Sequence, residues 1–260
     1  MIRAMFSAST GMAANQLSVD TISNNLANVN TTGFKKMRAD FQDILYQKMR
    51  PAGAENVACS QVPSGIEIGL GVRPVSIAKV FTQGELIKTE NNLDVAIEGD
   101  GFFQVLLPDG TTAYTRDGAI KLDANGTFVN ADGLYYQPTI TVPAATVQLT
   151  IGQDGTVTAI DQNGTGTNIG QLQLAKFLNP VGLSNLGKNL YQETVASGTP
   201  TVGNPGENGI GTLAQGFLEL SNIQLVEELV NLILAQRAYE VNSRVIRTSD
   251  EMLRTATQLR

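Results

Sequence analysis

Leu225, Leu232, Tyr239, Ile246 and Leu253 stand seven residues apart inside a stretch, 217–260, that contains neither proline nor glycine. A repeat of seven keeps one face of an α-helix apolar over many turns, whereas a β-strand alternates its faces at every residue. The positions three further on, Glu228, Ala235, Asn242, Ser249 and Ala256, are small or polar, with Glu228 the one long side chain. Such a row lets a second helix approach closely. At 1.5 Å per residue, a helix over this stretch is roughly 60 Å long.

The opposite end repeats the pattern. Residues 2–30 contain no proline, and Met5, Met12, Val19 and Leu26 are again seven apart. Ala8, Ile22 and Val29 supply most of a second stripe, with Asn15 as a polar interruption. The segment ends at Asn28-Val-Asn30-Thr-Thr-Gly33, where asparagine and glycine tolerate left-handed backbone. Two ends with matching seams predict a pair of helices meeting each other and neighbouring copies, a coiled-coil-like layer.

Between the ends the period changes. Asp100-Gly101, Asp109-Gly110, Asp117-Gly118, Asn125-Gly126 and Asp132-Gly133 recur every seven to nine residues. Short apolar segments separate them, the rhythm of antiparallel hairpins. Asp154-Gly155 and Asn163-Gly164 continue it, and 197–211, rich in Gly, Pro, Asn and Thr, reads as a flexible return linker. Met37, Phe41 and Leu45 suggest a short helix over 35–47, followed by a loop-like stretch holding Pro51, Gly53, Pro63 and Gly65. The expected fold class is therefore α+β. Residues 1–33 form an N-terminal helical segment, 34–66 an extended connector, 67–215 a central antiparallel β domain, and 216–260 the C-terminal helix.

Composition removes whole classes of function. The formal net charge of −6 argues against nucleic acid, whose phosphates need a basic face. The chain has no histidine, so the commonest general base and the commonest zinc ligand are both missing. Ser-His-Asp and Cys-His pairs cannot form, and the single cysteine, Cys59, has no partner for an intrachain disulfide. Glu98 and Asp100 flank Gly99, but a turn accounts for them better than a catalytic carboxylate pair. No Asp-rich loop has EF-hand spacing, and Gly209-Ile-Gly211-Thr-Leu-Ala214 follows a linker where a dinucleotide site needs a strand. No metal or cofactor is expected. The N-terminus lacks the apolar core of a secretory signal, and no run of about 18 apolar residues could span a membrane.

The segment Asn24-Asn25-Leu26-Ala27-Asn28-Val-Asn-Thr-Thr-Gly33-Phe34-Lys35 resembles the N-terminal signature of flagellar rod and hook proteins. Residues 94–105 followed by Tyr114-Thr-Arg-Asp-Gly118 resemble that family's β domain, and 235–243 with 250–253 its C-terminal helix. The stretch 63–74 and the chain length resemble its distal-rod members. The resemblance implies a non-enzymatic subunit that polymerises into a hollow drive shaft carrying motor torque to the hook. It implies an inner helical layer lining a channel, an outer β layer, and an extension near 48–66 that stiffens the rod. Implied partners are copies of itself, proximal rod and hook subunits, and surrounding peptidoglycan and outer-membrane ring proteins. Export would use the flagellar type III apparatus without a cleaved signal, placing the protein in the rod that crosses the periplasm. A proximal rod or hook-like subunit is the nearest alternative, and a secreted carbohydrate-processing enzyme on a β scaffold a more distant one.

Five buried seam side chains stabilise a helix by roughly 10 kcal/mol at about 1.5–3 kcal/mol each. Ordering about 30 residues costs on the order of 1–2 kcal/mol per residue in backbone entropy. The imbalance predicts that the terminal helices are largely disordered in the free chain and fold as copies assemble.

Overall fold

The computed structural model describes residues 2–50 and 64–258. The core of the expected stiffening extension, 51–63, and Cys59 within it lie outside the described residues. The fold is α+β, in two compact units.

Unit 1 comprises residues 1–27, 37–78 and 224–260. It holds α1 (Ile2–Ala27), β1 (Met37–Asp43), β2 (Tyr46–Arg50), β3 (Ile66–Gly69), β4 (Val72–Lys79) and α2 (Leu225–Gln258). β1 pairs with β4, and β2 pairs with β3 as a separate ribbon. Residues 37–43 are thus a strand, where the sequence suggested a short helix. Met37, Ala39 and Phe41 alternate with Arg38 and Asp40, and this period of two is the pattern the chain uses. The C-terminal helix begins at Leu225, after residues 217–219 have paired as a strand.

Unit 2 comprises residues 28–36 and 79–223. Its early strands are β5 (Leu86–Lys88), β6 (Val95–Glu98), β7 (Phe102–Leu106), β8 (Thr112–Thr115), β9 (Lys121–Leu122), β10 (Phe128–Val129) and β11 (Tyr135–Gln137). Then come β12 (Thr146–Ile151), β13 (Thr156–Asp161), β14 (Gly166–Gln171), β15 (Leu174–Lys176), β16 (Ser184–Gly187) and β17 (Leu190–Gln192). β18 (Thr201–Gly203), β19 (Thr212–Gln215) and β20 (Phe217–Glu219) complete it. The main sheet runs β16-β17-β8-β7-β11-β10-β9, with β15 on β7 and β18 on β15. β12-β13-β14 form a meander, β19 pairs with β6, and β20 with β5. Among the described residues the strand pairs of this unit are antiparallel, as the hairpin rhythm predicts.

The turns confirm the reason for that rhythm. Gly110, Gly126 and Gly133 have φ of 82°, 76° and 81° and close four-residue turns, their N–H groups donating to the carbonyls of Leu107, Asp123 and Asn130. Gly118 looks identical in sequence but serves a different end. Its backbone is not left-handed; a Cβ there would collide with the Val95 carbonyl, so glycine permits close strand contact. The core centres on Val95, Ile97, Phe103, Val105, Phe128 and Tyr136, and a second cluster packs Phe102, Tyr114, Phe177 and Tyr191 edge to face. The stretch 197–211, expected to be a loose linker, contributes β18 and the buried side chains of Ser197 and Ile210 to this unit.

Candidate assembly interface

Within unit 1, Gly11 of α1 lies against Asn242 of α2, and Asn25 against Glu228, so the helices run antiparallel. A Cβ on Gly11 would come within 2.9 Å of Asn242 Nδ2, so a bare backbone allows the approach. The residues fully buried on the two helices are small or polar: Ala8, Ala14, Thr21 and Asn25 on α1, and Glu228, Ala235 and Ser249 on α2. The α2 set is the row that the sequence marked as allowing close approach. Asn25 also links the helix to β1. Its Nδ2 donates to Met37 O at 2.8 Å and its Oδ1 accepts from Met37 N at 2.8 Å, as a neighbouring strand would.

The bulky seam residues flank that narrow contact. Met5, Met12, Val19, Ile22 and Leu26 on α1, and Leu232, Ile246 and Leu253 on α2, are half-buried in the single chain. Leu225 and Tyr239 are exposed, and Val29 is half-buried in unit 2. Val19 and Tyr239 border an open groove along the helix pair, with Gln16, Asp20, Gln236 and Glu240.

A further stripe escaped the heptad reading. Val226, Val230, Ile233, Leu234 and Val241 are 74%, 51%, 56%, 61% and 56% exposed. At 100° per residue they fall within a sector of about 100°, roughly opposite Ala235 and Glu228. The signal was legible in the doublets Leu225-Val226, Leu229-Val230 and Ile233-Leu234, which are wider than one seam requires.

The signature 24–35 divides between the units after Ala27. Asn24 and Ala27 are exposed, Asn25 is buried on α1, and Asn28 is half-buried in unit 2. Gly33 adopts φ +67°, and a Cβ there would come within 2.8 Å of the Arg116–Asp117 peptide. Its N–H donates to Glu219 O at 2.8 Å, and Phe34 and Lys35 beside it are buried.

Lys35 belongs to a cluster of charges sealed from water. Glu219 receives Lys35 Nζ at 2.5 Å, Arg116 Nε at 3.0 Å and the Gly84 N–H at 2.9 Å. Arg116 Nη1 donates to the carbonyls of Gly99 and Gly101 at 2.8 and 2.7 Å, and Lys35 also donates to Thr82 O at 2.7 Å. Burial, and then Arg116, hold the Lys35 amine below its ordinary range, against the opposing pull of Glu219. Asn222 extends the closure, accepting from Lys36 N and donating to Val80 O and Thr82 O. Lys35 and Arg116 stand in motifs legible in the sequence, whereas Glu219 lies 103 residues beyond Arg116 with no local pattern to mark it. The helices thus present a partly exposed apolar surface, and the β unit holds a sealed polar cluster. Among the described residues no group of His, Cys, Asp and Glu is placed to hold a metal ion, and no helix is long and apolar enough to cross a membrane.

Comparison with known proteins bears on the same three regions. Residues 5–35 match the profile described as flagella basal body rod protein. Residues 96–159 match that of the flagellar hook protein FlgE/F/G D1 domain, and 214–259 that of the flagellar basal body rod FlgEFG protein C-terminal. The chain is 51% identical to the flagellar basal-body rod protein FlgG of Buchnera aphidicola subsp. Schizaphis graminum, across 100% of both chains. It is 47% identical to FlgG of Borreliella burgdorferi, covering 100% of this chain and 99% of the relative. The flagellar hook-basal body complex protein FlhP of Bacillus subtilis is 32% identical over 97% of each.

Proposed function

The chain belongs to the flagellar basal-body rod protein family, and from that premise we propose that it polymerises into the distal rod, the hollow shaft between motor and hook. It is a structural subunit, and its work is to hold shape under torque. The observation that carries this is the second apolar face of α2, from Val226 to Val241, which is uncovered in the single chain. Burying such a face contributes about 25 cal/mol per Å² of apolar surface, and a second copy supplies a matching surface.

In this reading α1 and α2 pair in coiled-coil fashion and build the inner, channel-lining layer. The seam residues Met5, Met12, Val19, Ile22, Leu26, Leu232, Ile246 and Leu253 are half-buried within one chain. They finish their burial against neighbours, as do the exposed Leu225 and Tyr239. Unit 2 forms the outer layer, and the stretch 34–66 stiffens the shaft. The subunit is exported by the flagellar type III route without a cleaved signal, and meets proximal rod and hook subunits and the peptidoglycan and outer-membrane rings. No chemistry is needed, and the buried cluster around Glu219 serves closure of the fold.

Electron microscopy of the purified chain under assembly conditions tests the proposal. Straight, stiff fibres with a lumen are expected. Curved fibres would favour a hook-like subunit, and a chain that stays monomeric across protein concentration and precipitant would overturn the reading.

A further inference from the structure

The sequence contains three Asn-Gly pairs, at 125–126, 163–164 and 208–209. At such a pair the glycine's backbone nitrogen can attack the asparagine side-chain amide, and glycine, lacking a Cβ, leaves that nitrogen uncrowded. All three asparagines are exposed, so access to water does not separate them. The engagement of the glycine nitrogen does. Gly126 N–H donates to Asp123 O at 2.8 Å, and Gly164 N–H to Asp161 O at 2.9 Å. In both, glycine is the last residue of a four-residue turn, and the nitrogen that would attack is the one that closes it.

Asn208-Gly209 sits one place earlier in its turn. That turn runs from Glu207 to Ile210, closed by Ile210 N–H on Glu207 O at 2.8 Å, with Asn208 and Gly209 at its centre. Their φ values of 51° and 70° are the left-handed pair that such a turn requires. A central amide has no acceptor within its own turn, and among the described residues the Gly209 N–H has none elsewhere. The turn is anchored around this open nitrogen. Lys176 Nζ donates to Gly209 O at 2.6 Å, and Ile210 is buried in the core of unit 2.

We propose that Asn208 is a site of spontaneous covalent modification, converting through a succinimide to aspartate and isoaspartate in the folded chain. Gly209 N forms a bond to Asn208 Cγ, its proton passes to water, and the Cγ–Nδ2 bond breaks with release of ammonia. One water then opens the five-membered ring, and no oxidant or reductant takes part. Opening at Cγ leaves aspartate. Opening at the backbone carbonyl leaves isoaspartate, which routes the main chain through one extra carbon inside the turn that seats Ile210. Either product adds a negative charge, and the reaction does not depend on assembly. The test holds the folded full chain in mildly alkaline buffer and samples it over days by peptide mass spectrometry that separates aspartate from isoaspartate. Asn208 should react fastest, because Asn125 and Asn163 must first give up a hydrogen bond, roughly a two- to tenfold difference in rate. In guanidinium chloride the ranking should vanish, since unfolding frees all three glycine nitrogens alike. Equal rates in the folded chain, or Asn125 or Asn163 in the lead, would overturn the proposal. So would a ranking that survives denaturation, which would trace it to neighbouring sequence, or an Asn208 that converts only once the chain is unfolded.

Discussion

Glu219 carries one negative charge between Lys35 and Arg116, with its side chain fully buried. Removing one partner of a buried ionic group strands the others without water, at about 3–5 kcal/mol. Glu219→Gln keeps the shape and removes the charge, so two cations then face each other in the interior. It should lower the stability of unit 2 by about 3–5 kcal/mol in urea denaturation followed by circular dichroism. Lys35→Met leaves the Arg116–Glu219 pair intact and should cost less. If the lysine replacement were the more damaging, the cluster would not be organised around the carboxylate. Lys79 offers a second test. Its amine lies 4.5 Å from the Tyr191 ring centre and 5.4 Å from that of Phe34, and donates to Tyr191 Oη at 3.1 Å. Burial lowers its pKa from 10.5 to about 8. Between these values the unfolded chain binds the proton that the folded chain has released, so raising the pH favours folding. Above pH 10 the trend reverses, because burial holds the Tyr136 and Tyr191 hydroxyls above their ordinary pKa of 10.0 and the folded state then retains the protons. The Lys79→Met variant lacks the first effect. Its stability relative to wild type should therefore fall from about pH 8 to pH 10, as measured by denaturation at each pH. A difference that stays constant would mean that Lys79 titrates as an ordinary surface lysine.

At the scale of elements, α2 has two faces that differ in burial. The face holding Ala235, Ser249 and Glu228 is buried in the single chain, and the face holding Val230 and Ile233 is not. Replacing Val230 and Ile233 with Asp should leave monomer melting nearly unchanged, since exposed substitutions usually cost within about 0.5 kcal/mol. The same change should abolish fibre formation, read by sedimentation and microscopy. Loss of helix in the monomer would show instead that this face packs within one chain. The sequence made the helices legible because a period of seven persists over several turns. It also exposed the hairpins through Asp-Gly and Asn-Gly pairs, each read locally. Two kinds of feature were harder to read. Residues 37–43 carry both a helical and an alternating pattern, and pairing with β4 decides between them. Beside Ala8, the buried contact of the helices uses Ala14, Thr21 and Asn25, which stand outside the apolar stripes, because closeness of backbones matters there more than apolar bulk. Gly118 makes the same point among the turns: one dipeptide reads alike whether glycine serves a positive φ or a close approach.

For the whole molecule, the division of burial between the units bears on when each folds. The central cluster of unit 2 consists of large apolar side chains, among them Phe103, Phe128 and Tyr136, at most 1% exposed. Residues 28–36, 116 and 219–222 then close it through Glu219 and Asn222. Among the described residues, unit 1 has no comparable centre. Its fully buried helical residues are three alanines, Thr21, Ser249, Asn25 and Glu228, and its ribbon β2–β3 is exposed along nearly every residue. A two-stranded ribbon is at best marginally stable alone, and helices owe most of their stability to packing of an apolar face. The faces that would supply it, Val226 to Val241 and the half-buried seam, remain open in the single chain, and in the proposed rod other copies complete them. Amide hydrogen exchange on the monomer should therefore show strong protection in β6, β7, β8 and β13, and weak protection throughout α1 and α2. After assembly, the same helical amides should become protected while those of unit 2 change little. Strong protection of 5–26 and 225–253 before assembly would mean that the helices fold unaided and that polymerisation joins finished parts. Protection gained only on assembly would make the polymer the unit that folds, with the outward stripe of α2 serving both as interface and as the second half of a core that one chain cannot finish alone.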